Sequence, residues 1–153
     1  MSRRHTIALT PAEQREFFET AQTMTLASID RRGYPHLVAM WFVVDPDGTV
    51  LMTTYAKSQK AMNLRRDPRC TLLVERGVRY DQLQGVMIRG RATLEDDVER
   101  TLDVLTRIHA KRGGEEGPGL RDAMRTQARK RVVVRVAPDH VSSWDHTKLG
   151  GVY

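Results

Sequence analysis

Cysteine is nearly absent: Cys70 is the only one in 153 residues. An internal disulfide is therefore excluded, and a cysteine-based metal site has no second thiolate to draw on. Cys70 lies in the apolar run Cys70-Thr71-Leu72-Leu73-Val74 and reads as a core thiol, not a nucleophile. Aromatic residues make up 6% of the chain, too few for the stacking platforms of a single-strand nucleic-acid binder. No apolar run approaches the roughly 20 residues that cross a bilayer. The basic start Met1-Ser2-Arg3-Arg4-His5 is not followed by the apolar core of a signal peptide. No membrane partner and a cytoplasmic location are expected. Neither Gly-x-x-x-x-Gly-Lys nor Gly-x-Gly-x-x-Gly occurs, so neither a P-loop nor a dinucleotide fold is the frame. No Ser-His-Asp arrangement with a nucleophile elbow is visible. The five histidines, His5, His36, His109, His140 and His146, have no ligand spacing with one another or with Cys70, and no metal is expected.

What is present suits a single globular domain over 1–153, with 40% hydrophobic residues available for a core. The net charge of +6 and pI near 9.9 favour an anionic partner. Nucleic acid, an acidic cofactor and a membrane surface all satisfy that charge. The excess is spread through Arg31-Arg32, Arg65-Arg66, Arg89/Arg91 and Arg129-Lys130-Arg131, with no long basic tail.

Thr10-Pro11-Ala12-Glu13 opens a helix with a cap, a first-turn proline and a capping-box glutamate, and the pattern predicts a helix over 11–21 that offers Phe17 and Phe18 to the core. Met24–Ile29 reads as a strand closed by the turn Asp30–Gly33. His36–Val44 reads as a second strand, apolar on both faces and so expected to be buried on both. Asp45-Pro46-Asp47-Gly48 is a hairpin turn into the strand Thr49–Thr54. Cys70–Glu75 and Leu83–Leu94 follow as strands around the polar interruption Arg76–Asp81. In the longer one Val86, Ile88, Gly90, Ala92 and Leu94 share a face, and Arg89 and Arg91 read as a solvated face opposite. Val98, Leu102, Leu105 and Ile108 recur at helical spacing behind Glu95-Asp96-Asp97 and read as core packing. A glycine-rich loop over 113–119, a short helix over 120–128, a strand Val132–Val136 and a tail over 140–153 complete the chain. Closely spaced antiparallel strands with a few helices between them predict a mainly β, α+β fold, a barrel with flanking helices.

One stretch carries chemistry. From Leu51 to Pro68 a strand leads through Lys57-Ser58-Gln59-Lys60 into a short helix that Asp67-Pro68 stops. Ser58 is a good N-cap, and the N–H groups of a helix start carry partial positive charge. Two lysines, the hydroxyls of Thr53, Thr54 and Ser58, and that helix start together have the chemistry of a phosphate site. The same residues also make an ordinary capped surface helix with solvated lysines, so local chemistry leaves both readings open.

The sequence resembles the pyridoxamine-5′-phosphate-oxidase-like split β-barrel proteins, and within them the B-type flavin/deazaflavin oxidoreductases of actinobacteria that use coenzyme F420. Four features carry the likeness: Met24–Ile29 followed by Gly33-Tyr34-Pro35-His36, the strand ending in Thr53-Thr54, Ser58-Gln59-Lys60, and Asn63-Leu64-Arg65-Arg66-Asp67-Pro68-Arg69. The resemblance favours the phosphate reading of the Leu51–Pro68 stretch.

The resemblance implies an FMN-binding split-barrel fold and a homodimer with a cofactor in each cleft between subunits. It places the cofactor phosphate on Ser58 and Lys60, with Lys57 and Asn63 nearby and Thr53 or Thr54 on the strand side. It lays the ring along Val38, Met40 and Trp41, and brings Arg79 and Tyr80 from the other subunit. The implied activity is hydride transfer from reduced F420 to a small organic acceptor; the alternative is an FMN-dependent enzyme or flavin-binding protein of the same fold. Tyr80 and His146 are candidate proton donors. The vitamin B6 oxidase has an Arg-Lys pair where Gln59-Lys60 stands here, and an Arg-x-His near its C-terminus where this tail has Trp144-Asp145-His146. Those departures argue against vitamin B6 oxidation. A nucleic-acid-binding barrel would need aromatics on a strand face, which the sequence does not show.

Overall fold

The computed structural model describes residues 5–150; the basic start at 1–4 and the end of the tail at 151–153 lie outside the described residues. Four helices accompany seven strands: α1 Pro11–Thr20, β1 Thr23–Ile29, β2 Pro35–Trp41, β3 Val43–Val44, β4 Val50–Tyr55, α2 Gln59–Arg66, β5 Arg69–Arg76, β6 Gln84–Glu95, α3 Val98–Lys111, α4 Leu120–Ala128 and β7 Arg131–Asp145. Short 3-10 turns occupy Tyr80–Gln82 and His146–Leu149. The capping box of α1 forms as expected: the Thr10 hydroxyl accepts from the Glu13 N–H at 3.2 Å, and the Thr10 N–H donates to the Glu13 carboxylate at 2.6 Å. Ser58 caps α2, its Oγ accepting from the Ala61 N–H at 3.3 Å.

The strands form one antiparallel sheet in the order β2-β1-β5-β6-β7-β4-β3. Its two edges, β2 and β3, are consecutive in the chain and separated by Phe42 alone. The sheet therefore curls into a half-barrel whose edges approach at that residue, the split-barrel architecture expected from the sequence. The single strand expected over His36–Val44 is corrected here. A chain passing from one edge of a curled sheet to the other must leave its first pairing register, and Phe42 is where it does so. Burial on both faces is also corrected: Leu37 is 61% exposed and Trp41 50%. β2 is an edge strand, and the helices gather instead on β3, β4 and β7 and against parts of β1 and β6.

The inner face holds the main core, including Leu26, Met40, Phe42, Met52, Leu72, Ile88 and Val134. A second cluster, Val43, Leu51, Val104, Ile108 and Val133, lies where α3 covers the outside of β4 and β7. Leu102 and Ile108 are buried as expected, but Val98 is 37% exposed, and Thr101 and Val104 take the inward positions. The buried stripe is thus Thr101, Leu102, Val104 and Ile108, with Leu105 half-buried beside it.

Lys111, in the last turn of α3, ties three parts together. Its ammonium donates to the carbonyls of Phe18 (2.7 Å) and Phe42 (3.3 Å) and sits 3.6 Å above the Phe42 ring. The Phe18 carbonyl is one of the four that end α1 without a helical partner. The Phe18 ring meets Phe42 edge-on at 6.4 Å. Burial lowers the Lys111 pKa to about 8, which still leaves it mostly charged at neutral pH.

β6 pairs with β7 along its whole length, with a bulge at Arg89/Gly90. A Cβ at Gly90 would lie 2.3 Å from the Ala137 carbonyl oxygen, so the bulge needs glycine there. The strand predicted over Val132–Val136 in fact continues to Asp145, so the first six residues of the expected tail, His140–Asp145, are sheet. The run of valines ends at Val136 and Pro138 follows; Pro138 sits opposite Gly90 at the bulge, where a missing N–H is tolerated. Trp144 lies flat over Gly85, whose added Cβ would be 2.2 Å from the indole.

Lys111→Met keeps the aliphatic stem and removes the ammonium, leaving two carbonyls unpaired. The expected loss is about 2 kcal/mol of unfolding free energy, read from urea denaturation. An unchanged midpoint would show that water satisfies both carbonyls and that the clamp contributes nothing.

Candidate functional site

The strand-to-helix corner at β4 and α2 is built from its own hydrogen bonds. The Ser58 N–H donates to the Tyr55 carbonyl at 3.0 Å, and Thr54 Oγ1 lies 3.1 Å from Ser58 Oγ. Arg65 closes the loop by donating to the Ala56 carbonyl at 2.6 Å. With Ser58 Oγ satisfying Ala61, the N–H groups of Gln59 and Lys60 stand at the open end of α2. Thr53 and Thr54 fall on opposite faces of β4. Thr54 faces Ser58, whereas Thr53 shares the α3 side with Leu51.

Asn63 is fully buried; its amide donates to Ser28 Oγ at 3.1 Å, and its oxygen accepts from the Gln59 side chain at 2.8 Å. It therefore forms the wall behind the helix start. Lys57 is exposed and Lys60 half-buried. Burial, and then the charge of Arg131, lower the pKa of Lys60.

Arg131 is the residue that sequence reasoning missed. It lies on β7 opposite Tyr55, with its guanidinium 4.3 Å from the Tyr55 ring centroid. Its Nε is buried without a hydrogen-bond partner, one of two such side-chain atoms among the described residues; the other is His36 Nδ1. Two neighbouring cations, one with an unused buried donor, beside a free helix start form a donor set for an anion. In sequence Arg131 is one of three consecutive basic residues, 71 positions from Lys60. Only the β4–β7 register brings it to the corner.

The other expected site residues divide. Val38 and Met40 point inward, Met40 being part of the core and Val38 packed against it. Trp41 faces outward under the Arg112 guanidinium at 3.6 Å. The three therefore do not share one face, and the apolar surface open on β2 is made by Leu37, Ala39 and Trp41. Arg79 is ion-paired with Asp81 at 3.2 Å. Tyr80 and His146 do come together: their rings are 4.7 Å apart, and His146 Nδ1 donates to the Tyr80 carbonyl at 2.8 Å. A carbonyl only accepts, so Nε2 carries the free lone pair of the neutral ring. This pair adjoins the Gln84 end of β6, while Arg131 lies just past the Glu95 end. The 12 residues of β6 separate them, about 35 Å of strand at 3.3 Å per residue. Within one chain the two groups thus lie at opposite ends of β6.

Cys70 is buried, and burial pushes its thiol up to about 12, as befits a core thiol. Among the described residues no group of three or more His, Cys, Asp or Glu is placed to hold a metal ion. Among the described residues no helix is long and apolar enough to cross a membrane.

Residues 10–145 match the family described as pyridoxamine 5′-phosphate oxidase, and the chain belongs to it. Among solved structures, the conserved hypothetical protein Rv2991 from Mycobacterium tuberculosis is 38% identical. Its TM-score is 0.90, and the match covers 100% of this chain and 95% of that one. An F420 reductase is 22% identical with a TM-score of 0.66, over 84% of this chain and 92% of its own. The heme storage protein HutZ from Vibrio cholerae is 18% identical with a TM-score of 0.68, over 87% and 94%. The last two share the fold. None of the curated proteins matches the chain.

In the ligand-free protein the anion corner opposes folding, since it holds two like charges together and buries an unpaired donor. Arg131→Leu is expected to raise unfolding free energy by about 1 kcal/mol, measured by urea denaturation. A loss of stability of that size would make Arg131 a structural residue.

Proposed function

We propose that the protein is an oxidoreductase that binds the deazaflavin coenzyme F420 as a homodimer and reduces a small organic acceptor. The observation that carries this reading is the unpartnered Arg131 Nε beside Lys60 at the start of α2. An anion at that point satisfies the buried donor and offsets the repulsion between the two cations. Ser58, Lys60 and Arg131 bind the cofactor phosphate, Thr54 and Asn63 hold the loop and helix that present them, and Lys57 adds charge at the rim. Reduced F420 supplies the hydride when bound; the protein binds, orients and excludes water. With Nδ1–H held by the Tyr80 carbonyl, the protonated ring of His146 is the group suited to deliver the proton it carries on Nε2 to the reduced acceptor, returning to the neutral ring with its lone pair there.

The homodimer rests on two features of the chain. Leu37, Ala39 and Trp41 form an exposed, outward apolar strip on the edge strand, with the Arg112 guanidinium stacked on Trp41 at its end. The Tyr80–His146 pair and the Lys60–Arg131 corner lie at opposite ends of β6, and a second subunit offers the geometry that would join them.

F420 is favoured over FMN by the charge at the corner. FMN ends in a compact phosphate dianion, for which the vitamin B6 oxidase uses an Arg-Lys pair. Here Gln59 stands in place of that arginine, and its amide is turned inward to Asn63. A phosphodiester, which carries one negative charge, asks less of the site. Of the cations beyond the helix start, Arg65 and Arg66 also donate to the Ala56 and Ile29 carbonyls and Arg69 pairs with Asp67, so Lys57 is the least committed charge for an anionic tail.

Fluorescence titration at low and moderate ionic strength is expected to show tighter binding of F420 than of FMN, with salt weakening the difference as the tail is screened. Lys60→Ala should weaken F420 binding at least tenfold, whereas Arg31→Ala, in the β1–β2 turn, should leave it unchanged. Because burial and Arg131 both lower the Lys60 pKa, affinity should fall as pH rises toward the lysine range, and fall later in Lys60→Arg. Light scattering should give a dimer at micromolar concentration. Tighter FMN binding, or a yellow protein from a host lacking F420, would assign the alternative cofactor; a stable folded monomer would remove the two-subunit site.

A further inference from the structure

We propose that the cleft between α1 and α3 is a second binding site, which takes an N-acyl α-amino acid with an apolar side chain. The cleft measures about 770 Å³, within the range of small-molecule sites of about 300–1,000 Å³. Pro11 and Phe18 on α1, Val43 on β3, Pro46 in the turn and Ala110 on α3 give it apolar walls.

One side of the cleft carries a free backbone donor and acceptor. The Asp45 N–H donates to the Thr49 carbonyl at 2.9 Å, and the pairing continues as Val44 with Val50 and Val43 with Leu51. Hydrogen-bonded and non-hydrogen-bonded pairs alternate along an antiparallel ladder. Val44 and Val50 therefore form a non-hydrogen-bonded pair, and the N–H and carbonyl of Val44 point away from β4. β3 is an edge strand, and neither group has a protein partner among the described residues. Val44 is half-buried and lines the cleft. The carbonyl two residues back, that of Phe42, is taken by Lys111 at 3.3 Å, so a ligand pairs with a single residue of this edge.

The charges around the cleft select the ligand. Arg107 is paired with Asp45 at 2.7 Å, and Asp47 accepts from the Thr49 N–H at 2.9 Å. Glu19 acts electrostatically on Lys111. Arg15 is the cation left over, with no ion pair and no side-chain hydrogen bond among the described residues. An N-acyl amino acid carries the complement of these groups. Its amide N–H donates to the Val44 carbonyl, one carboxylate oxygen accepts from the Val44 N–H, and the other accepts from Arg15. An apolar side chain then packs against Phe18 and Pro46.

No residue of the Lys60–Arg131 corner, the Leu37–Trp41 strip or the Tyr80–His146 pair lines this cleft. Val44 is opposite Val50, and Arg131 is opposite Tyr55 five residues further along β4, about 17 Å of strand at 3.3 Å per residue. Lys111 lines the cleft while Arg112, the next residue, covers Trp41. The end of α3 thus stands between the cleft and the strip given to the second subunit, and the inference is independent of the cofactor and of the dimer.

Amide NMR of the isotope-labelled full chain, titrated with N-acetyl-leucine, tests it. The Val44 amide is expected to shift saturably, and Arg15→Gln should weaken binding about fivefold with an unchanged circular dichroism spectrum. The ester analogue 2-acetoxy-4-methylpentanoate lacks the N–H that the Val44 carbonyl accepts, and should bind the wild-type chain several-fold more weakly. A Val44 amide that stays in place at millimolar acid would overturn the proposal, as would equal binding of amide and ester. Shifts confined to Ser58 and Lys60 would also overturn it, because the acid would then occupy the cofactor corner. An acetylated peptide ending in leucine that binds more than tenfold tighter, and still moves Val44, would assign the cleft to a protein C-terminus instead.

Discussion

The structure depends on one cation at the seam of the barrel. A seven-stranded sheet whose two edge strands are joined by a single residue has to hold that residue where the pairing register changes, and the change leaves a backbone carbonyl without a strand partner. Lys111 fills the gap, donating to the carbonyls of Phe42 and Phe18 over the Phe42 ring. A hydrophobic side chain could fill the volume but could not satisfy two carbonyls arriving from different elements. The lysine also anchors α3 at its C-terminus, where positive charge complements the helix dipole, and α3 in turn covers β4 and β7. Closure of the barrel and placement of the anion corner are thus linked: the β4–β7 pairing beneath α3 is what puts Arg131 opposite Tyr55.

The corner illustrates the usual opposition between function and stability. Lys60, Arg131 and the free N–H groups of α2 are brought together with no ion pair to a carboxylate among the described residues, and the Arg131 guanidinium lies over the exposed Tyr55 ring. A protein selected for stability alone would place a glutamate or an apolar side chain there.

Much of this was legible in the sequence where a local rule applied. The capping box at Thr10, the cap at Ser58, the Asp45–Gly48 turn and the alternation in β6 each follow from residues within a few positions of one another. The family resemblance supplied the split barrel and directed attention to Ser58 and Lys60. What stayed hidden depends on distant parts of the chain. Phe42 gives no sign that it interrupts a strand, because the interruption is imposed by curling of the whole sheet. β7 continues through Pro138 because a bulge opposite Gly90 accepts a residue without an N–H. Val38 and Met40 face away from Trp41 for the simplest of reasons, strand alternation, which a run apolar on both faces conceals. Arg131 could not be singled out from its basic neighbours before the register of β4 and β7 was known.

Phosphorus NMR of F420 titrated with the protein tests most directly whether the Lys60–Arg131 corner receives the cofactor. The phosphodiester resonance should shift and broaden on binding to the wild-type chain, and Arg131→Gln should remove most of that shift while the free protein stays folded. A phosphorus resonance that stays unperturbed while the deazaflavin absorbance changes would contradict the account, because the ring would then be bound without its phosphate meeting these residues.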